Sequence, residues 1–138
     1  MNLQNFLSDV LSNGGASFNL VTGTFNPNQG FFVSVPNREQ QTTNLTAQLL
    51  ADFINTNIDL LSNENYFLGG WVENGIIYLD VSEQIFDKRT ALTQGINRNQ
   101  LAIYDAFNSE VINLPTRQRT GTFTQQKAYI TQAVDKLM

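Results

Sequence analysis

The sequence predicts an α+β fold, a mostly antiparallel sheet of hairpins with one strand-helix-strand crossover, covered by N-terminal, central and C-terminal helices. Three observations lead there. Asn74-Gly75 stands between two apolar runs in "LGGWVENGIIYLDVS" (68–82), as a two-residue type I′ turn requires, because both of its central positions need φ > 0. Apolar residues recur at helical spacing near both ends of the chain and again around 49–61. The intervening apolar runs are short and bounded by Gly, Pro and Asn, as strands are.

In chain order, Leu3, Phe6, Leu7, Val10 and Leu11 outline an amphipathic first helix, with Asn2 as candidate cap and Asn13-Gly14-Gly15 as the stop. The residue three past Asn2 is Asn5, so no full capping box is present. "ASFNLVTGTFNPNQGFFVSV" (16–35) reads as two short strands, Ser17 to Thr22 and Phe31 to Val35, joined through Asn26-Pro27 and Gly30 as a second hairpin. "PNREQQTTN" (36–44) reads as a polar loop. Leu49, Leu50, Phe53, Ile54, Ile58 and Leu61 then outline a second helix, capped by Asn44 or Thr46 and ending at Ser62-Asn63.

After the Asn74-Gly75 hairpin, Ile77, Leu79 and Val81 alternate with Tyr78, Asp80 and Ser82. In "EQIFDKRTALTQGI" (83–96), Asp87 caps a short helix that carries Ala91 and Leu92 inward, and Gly95 is its expected terminator. The strand "LAIYD" (101–105) completes the crossover, right-handed if its strands are parallel neighbours. Asn108-Ser109 turns the chain into a last strand, Glu110 to Leu114, stopped by Pro115. Thr122 with Gln125 forms a capping box, and Ile130, Ala133, Val134 and Leu137 stripe a C-terminal helix.

At 138 residues, with 41% apolar and 11% aromatic content, the chain is expected to form a single domain over residues 1–138 with a packed core of its own. Only 14% of residues are charged and the net charge is −4, whereas 17 Asn and 12 Gln make the surface polar through neutral amides. Eight scattered Lys and Arg against twelve acids offer no basic face, which disfavours nucleic acid. Cysteine is absent, so disulfides, thiolate metal sites and thiol nucleophiles are excluded. Histidine is absent too, which removes Ser-His-Asp and Cys-His catalysis and His-ligated zinc. No basic start with an apolar h-region and no run of about 20 apolar residues occurs, so secretion by a standard signal and membrane spanning are not expected.

Three segments taken together, "GGASFNLVTGTFNPNQGFFVSV", "FLGGWVENGIIYLDVS" and "NQLAIYD", resemble in order and spacing a family of small phage and prophage proteins of cyanobacterial and actinobacterial viruses. The resemblance covers roughly residues 14 to 112 and consists of turns and strand faces. It implies a viral origin and transfers no functional residue.

Four groups of residues carry candidate chemistry. Asp80 could pair with Asp105, or with Glu73 or Glu110, for acid/base work or cation binding. Strand parity gives no reason for Asp80 and Asp105 to converge, so a solvated strand face is the favoured reading of Asp80. Trp71, after Gly69-Gly70, suits either an interface anchor or a core aromatic beside a bend, with the core favoured. The loop "NPNQG", through Asn26 and Asn28, is a candidate partner-facing tip. In "TRQRTGTF" (116–123), Arg117 and Arg119 precede Gly121 and a helix start capped by Thr122, so a phosphate or carboxylate could meet two guanidinium groups and a helix dipole. Two arginines in a solvent loop are commonplace, and Lys88-Arg89 with Arg98 reads as part of an ion-pair network with Asp87 and Glu83.

The expected function is that of a non-enzymatic phage accessory protein in the host cytoplasm, needing no cofactor or metal and binding a host or viral protein or a small phosphorylated ligand, with an anti-defence role among its uses. The alternatives are a virion structural component and an enzyme working through Asp80 and Asp105. Neither nucleic acid nor membrane is an expected partner, and a homo-oligomer is compatible with a chain this small.

Overall fold

The computed structural model describes residues 3–116 and 121–138. Along the chain the elements are α1 (Leu3–Asn13), β1 (Gly15–Phe18), β2 (Phe31–Ser34), β3 (Gln40–Thr42), α2 (Ala47–Thr56), α3 (Ile58–Leu61), β4 (Tyr66–Glu73), β5 (Ile76–Ile85), α4 (Lys88–Asn97), β6 (Ala102–Asp105), β7 (Glu110–Asn113) and α5 (Phe123–Leu137). The fold is α+β and its sheet is antiparallel, as the hairpin signals predict. Contacts divide the chain into two compact units, residues 1–27 with 37–83 and residues 28–36 with 84–138.

In the first unit the strand order is β1-β4-β5-β3. Asn74 at φ 53° and Gly75 at φ 78° form the expected left-handed turn pair, and the register Glu73↔Ile76, Val72↔Ile77, Trp71↔Tyr78 runs down from it. Cross-strand partners share a face, so Phe18, Leu68, Leu79, Val81 and Ile77 point one way and all are buried. Helix α1 lies on that side, and Val10 and Phe6 reach the backbone of Gly70. Gly14, at φ 85°, ends α1 by donating its N–H to the Val10 carbonyl.

The second unit orders its strands β2-β6-β7 and covers one face with α4 and α5. Val33, Ile103, Ala91, Leu92, Ile96, Ile130, Ala133 and Val134 form its core. Asp87 caps α4 by accepting from the Thr90 N–H at 2.9 Å, and Thr122 and Gln125 close the capping box of α5, both as the sequence predicts.

The structure departs from the expectations in six places. The second hairpin does not exist: β1 pairs with β4 and β2 with β6, so the strands flanking Asn26-Pro27 take other partners. β1 also stops at Phe18, because the buried Asn19 accepts from the N–H groups of Val21 and Thr22 and donates to the Glu64 carbonyl at 2.7 Å, turning the chain. The polar loop contains a strand, β3, that pairs with β5 through backbone bonds needing no apolar side chains. The central helix is broken at the buried Asn57, whose Nδ2 donates to the Phe53 carbonyl and lets the chain restart as α3. Gly95 does not end α4; it is buried inside the helix, under Leu114 and Ile103. The crossover between β5 and β6 does not join parallel neighbours, since β6 pairs only antiparallel, with β2 and β7.

Candidate functional site

The one tryptophan lies on the sheet face of the first unit opposite to α1. Across that face the row runs Gly15, Trp71, Tyr78, Gln41 on β1, β4, β5 and β3. Trp71 and Tyr78 stack with ring centroids 5.2 Å apart and planes 8° from parallel, about the spacing of adjacent strands. Both are half-buried, and Gln41 is exposed. Gly15 contributes no side chain, so one face of the row ends in backbone; a Cβ there would meet only the Gly70 carbonyl and the Trp71 Cα and Cβ, at 3.4 Å or more. Val72, Glu73, Asn74 and Gly75 at the hairpin tip are all exposed. The core reading of Trp71 is thereby corrected: burial goes to the alternate residues that face α1, and the indole is left on the other side. The Asn74-Gly75 signal set the hairpin, but nothing local told which face would be covered.

Asp80 lies two residues along that face from Tyr78, and the expectation of a solvated carboxylate is overturned. It is 5% exposed. The partner across the ladder is Gly69, and the Asp80 carboxylate occupies the space that a Gly69 side chain would need. Ser82 donates its hydroxyl to Asp80 Oδ2 at 3.2 Å. Phe67, on the same face, is 2% exposed, so this end of the face is covered although it is not the apolar one.

Asp105 is also buried, at 3%, and organises the β6-β7 turn by accepting from the N–H and the side-chain amide of Asn108, at 3.2 and 2.8 Å. Glu110 sits opposite it in the ladder and is exposed, as is Glu73. Asp80 belongs to the first unit and Asp105 to the second, and each is engaged by its own neighbours. Among the described residues no three acidic side chains gather as a metal site.

Asn26 and Asn28 are both exposed, but only Asn28 is left to the solvent. Asn26, at φ 46°, accepts from the Ser17 N–H through Oδ1 at 2.8 Å, donates its own N–H to the Ser17 carbonyl and reaches Asp9 at 3.4 Å. Phe25 packs against Phe18 beside it, ring centroids 5.5 Å apart and planes tilted by 50°. Arg117 and Arg119 lie outside the described residues. Gly121 and Thr122 are exposed, and the donors of Thr122 and Gln125 are taken by the capping box, with bonds of 2.9 and 3.1 Å. Arg89 pairs with Asp135 on α5 at 2.8 Å and its charge also acts on Asp87, while Arg98 Nη1 donates to the Val33 carbonyl at 3.4 Å.

A second polar feature, unmarked in the sequence, is a cleft of about 430 Å³ lined by residues 37–40 and by Phe53, Thr56, Asn57, Ile58 and Asp59. Arg38 spans it as a two-pronged clamp, each Nη donating to one Asp59 oxygen at 2.9 Å and Nη1 also to Asn57 at 3.1 Å. Its charges are answered within the cleft, so it ties β3 to the α2-α3 junction. Hydrogen bonding from Arg38, then its charge, holds the Asp59 carboxyl below the usual carboxylate range; the Thr90 hydroxyl and N–H do the same for Asp87. A carboxylate with a lowered folded pKa adds stability above its unfolded pKa, about 3.9, and loses it as pH falls through the folded value. The denaturant midpoint is therefore expected to fall as pH drops below about 4, and to fall less steeply in Asp59→Asn; equal slopes in the two proteins would show the clamp contributes nothing.

No helix among the described residues is long and apolar enough to cross a membrane. Compared with models of protein families, with curated proteins and with solved structures, the chain matches none.

Proposed function

We propose that the protein acts by binding a partner protein rather than by catalysis, as a phage accessory factor in the host cytoplasm, and that the Trp71-Tyr78 face is its contact surface. The observation that carries this reading is the stacked pair itself. Two large rings held by each other on a sheet lose little side-chain entropy on association, and Trp and Tyr are enriched among residues that dominate binding energy. Gly15 beside the indole allows another chain to come close. A weakly charged, amide-rich surface and the lack of His and Cys favour recognition over acid/base or nucleophilic chemistry.

The test is capture from infected host cells by wild-type protein and by Trp71→Ala, with circular dichroism to show that both are folded. A hot-spot truncation of about 2 kcal/mol weakens binding roughly thirtyfold, so a partner held by the wild type is expected to be lost from the variant. Equal recovery by both proteins removes the aromatic face from the proposal. A hydrolytic or transfer activity abolished by Asp80→Asn would replace binding with catalysis. Finding the chain at fixed copy number in purified particles would make it a virion component instead.

A further inference from the structure

The chain contains two Asn-Gly pairs, Asn13-Gly14 and Asn74-Gly75, and the fold puts them in opposite chemical circumstances. At the end of α1, Asn13 donates its carboxamide to Asp9 at 3.1 Å, and the Gly14 N–H donates to the Val10 carbonyl at 3.2 Å. At the hairpin tip both residues are exposed, and the Asn74 carboxamide makes no hydrogen bond among the described residues. In a two-residue turn the closing bonds run between the flanking pair, here Glu73 and Ile76, so the Gly75 N–H stands outside the ladder. Nothing lies within 4 Å of the place a Gly75 Cβ would occupy.

We infer that Asn74 is a self-modifying position, where the Gly75 backbone nitrogen attacks the Asn74 side chain and converts it to aspartate and isoaspartate, while Asn13 is protected. The Gly75 nitrogen gives its proton to base in the solvent and bonds to Asn74 Cγ; the Cγ–Nδ2 bond breaks and the nitrogen leaves as ammonia. The resulting five-membered imide is opened by water at either carbonyl. Opening at one restores the normal backbone as aspartate; opening at the other adds a methylene to the main chain as isoaspartate. Either product adds a negative charge beside the exposed Glu73. Isoaspartate also lengthens a turn whose two residues must fit between Glu73 and Ile76, each two positions from the stacked Trp71 and Tyr78. For Asn13 to react, the Gly14 bond must open first, which holds it back by roughly five- to tenfold, and the Asp9 contact adds to that.

The experiment is prolonged incubation of the folded wild-type chain in mildly alkaline buffer, followed by peptide mass mapping, with a denatured sample alongside. In the folded protein the peptide containing Asn74 is expected to gain one dalton and split into aspartate and isoaspartate forms, at least fivefold faster than the Asn13 peptide. In denaturant the two pairs are expected to react at similar rates, since both are then plain Asn-Gly. The inference is overturned if folded Asn13 reacts as fast as Asn74, or if Asn74 stays intact while the denatured chain is modified.

Discussion

Gly70→Ala is expected to lower the stability of the protein by about 3 kcal/mol, although alanine in a strand ordinarily gains roughly 0.5–1 kcal/mol over glycine. The sign reverses because of what lies above the strand. A Cβ at position 70 would stand 2.9 Å from Val10 Cγ2 and 3.1 Å from Phe6 Cζ, and both of those side chains are fully buried. Valine is stiff about χ1 and Phe6 has no free space to enter, so the methyl must lift α1 from the sheet or spread the strands. The measurement is the denaturant midpoint at unchanged slope. Val10→Ala alone opens a cavity and destabilises, but combined with Gly70→Ala it removes the colliding methyls, so the double variant is expected to be more stable than the sum of the singles allows. Additive behaviour would mean that α1 does not rest on Gly70.

Gly95→Ala is expected to cost about 2 kcal/mol in the second unit, against a helix-propensity gain of roughly 1 kcal/mol that an exposed helix would show. The added methyl would lie 2.6 Å from Leu114 Cδ1 and 2.8 Å from Ile103 Cγ2. Leu114 can swing its branch, but Ile103 is 2% exposed and its Cγ2 sits close to the backbone of β6, so α4 must retreat. A midpoint that rises in the variant would show that the helix has room there. Together the two substitutions probe one helix-sheet contact in each unit.

Gly95 also shows what kind of information the chain carries openly. Near the end of an apolar stripe a glycine reads as a stop, and only Ile103 of β6 and Leu114 just past β7, packed against it, reveal that its role is close approach. Features whose physics is local are readable: the Asn74-Gly75 turn, the Asp87 cap and the Thr122-Gln125 box each depend on residues within a few positions of one another. Partners far along the chain are not. Phe18 and Phe31 look like two sides of one hairpin, yet each finds a different ladder, because strand pairing is decided by which faces must be buried. Asp80 and Trp71 show the same limit at the candidate site. Period-two alternation assigns Asp80 to the less apolar face, but it cannot tell that the Asp80 end of that face is covered and the Trp71 end open. The Arg38-Asp59-Asn57 clamp joins residues some twenty positions apart and left no mark in composition or spacing.

The bonds between Asn26 and Ser17 have a consequence for how this chain behaves among its own copies. A strand at the margin of a sheet offers its free N–H and C=O groups as a template on which another strand can grow. On β1 the outward groups nearest Phe18 belong to Ser17, and Asn26 occupies both, one with its side chain and one with its backbone, in a left-handed conformation from which no regular strand can continue. A short apolar strand ending in Phe18 thus carries its own stopper against templated aggregation, made from a single asparagine eight positions further along the chain.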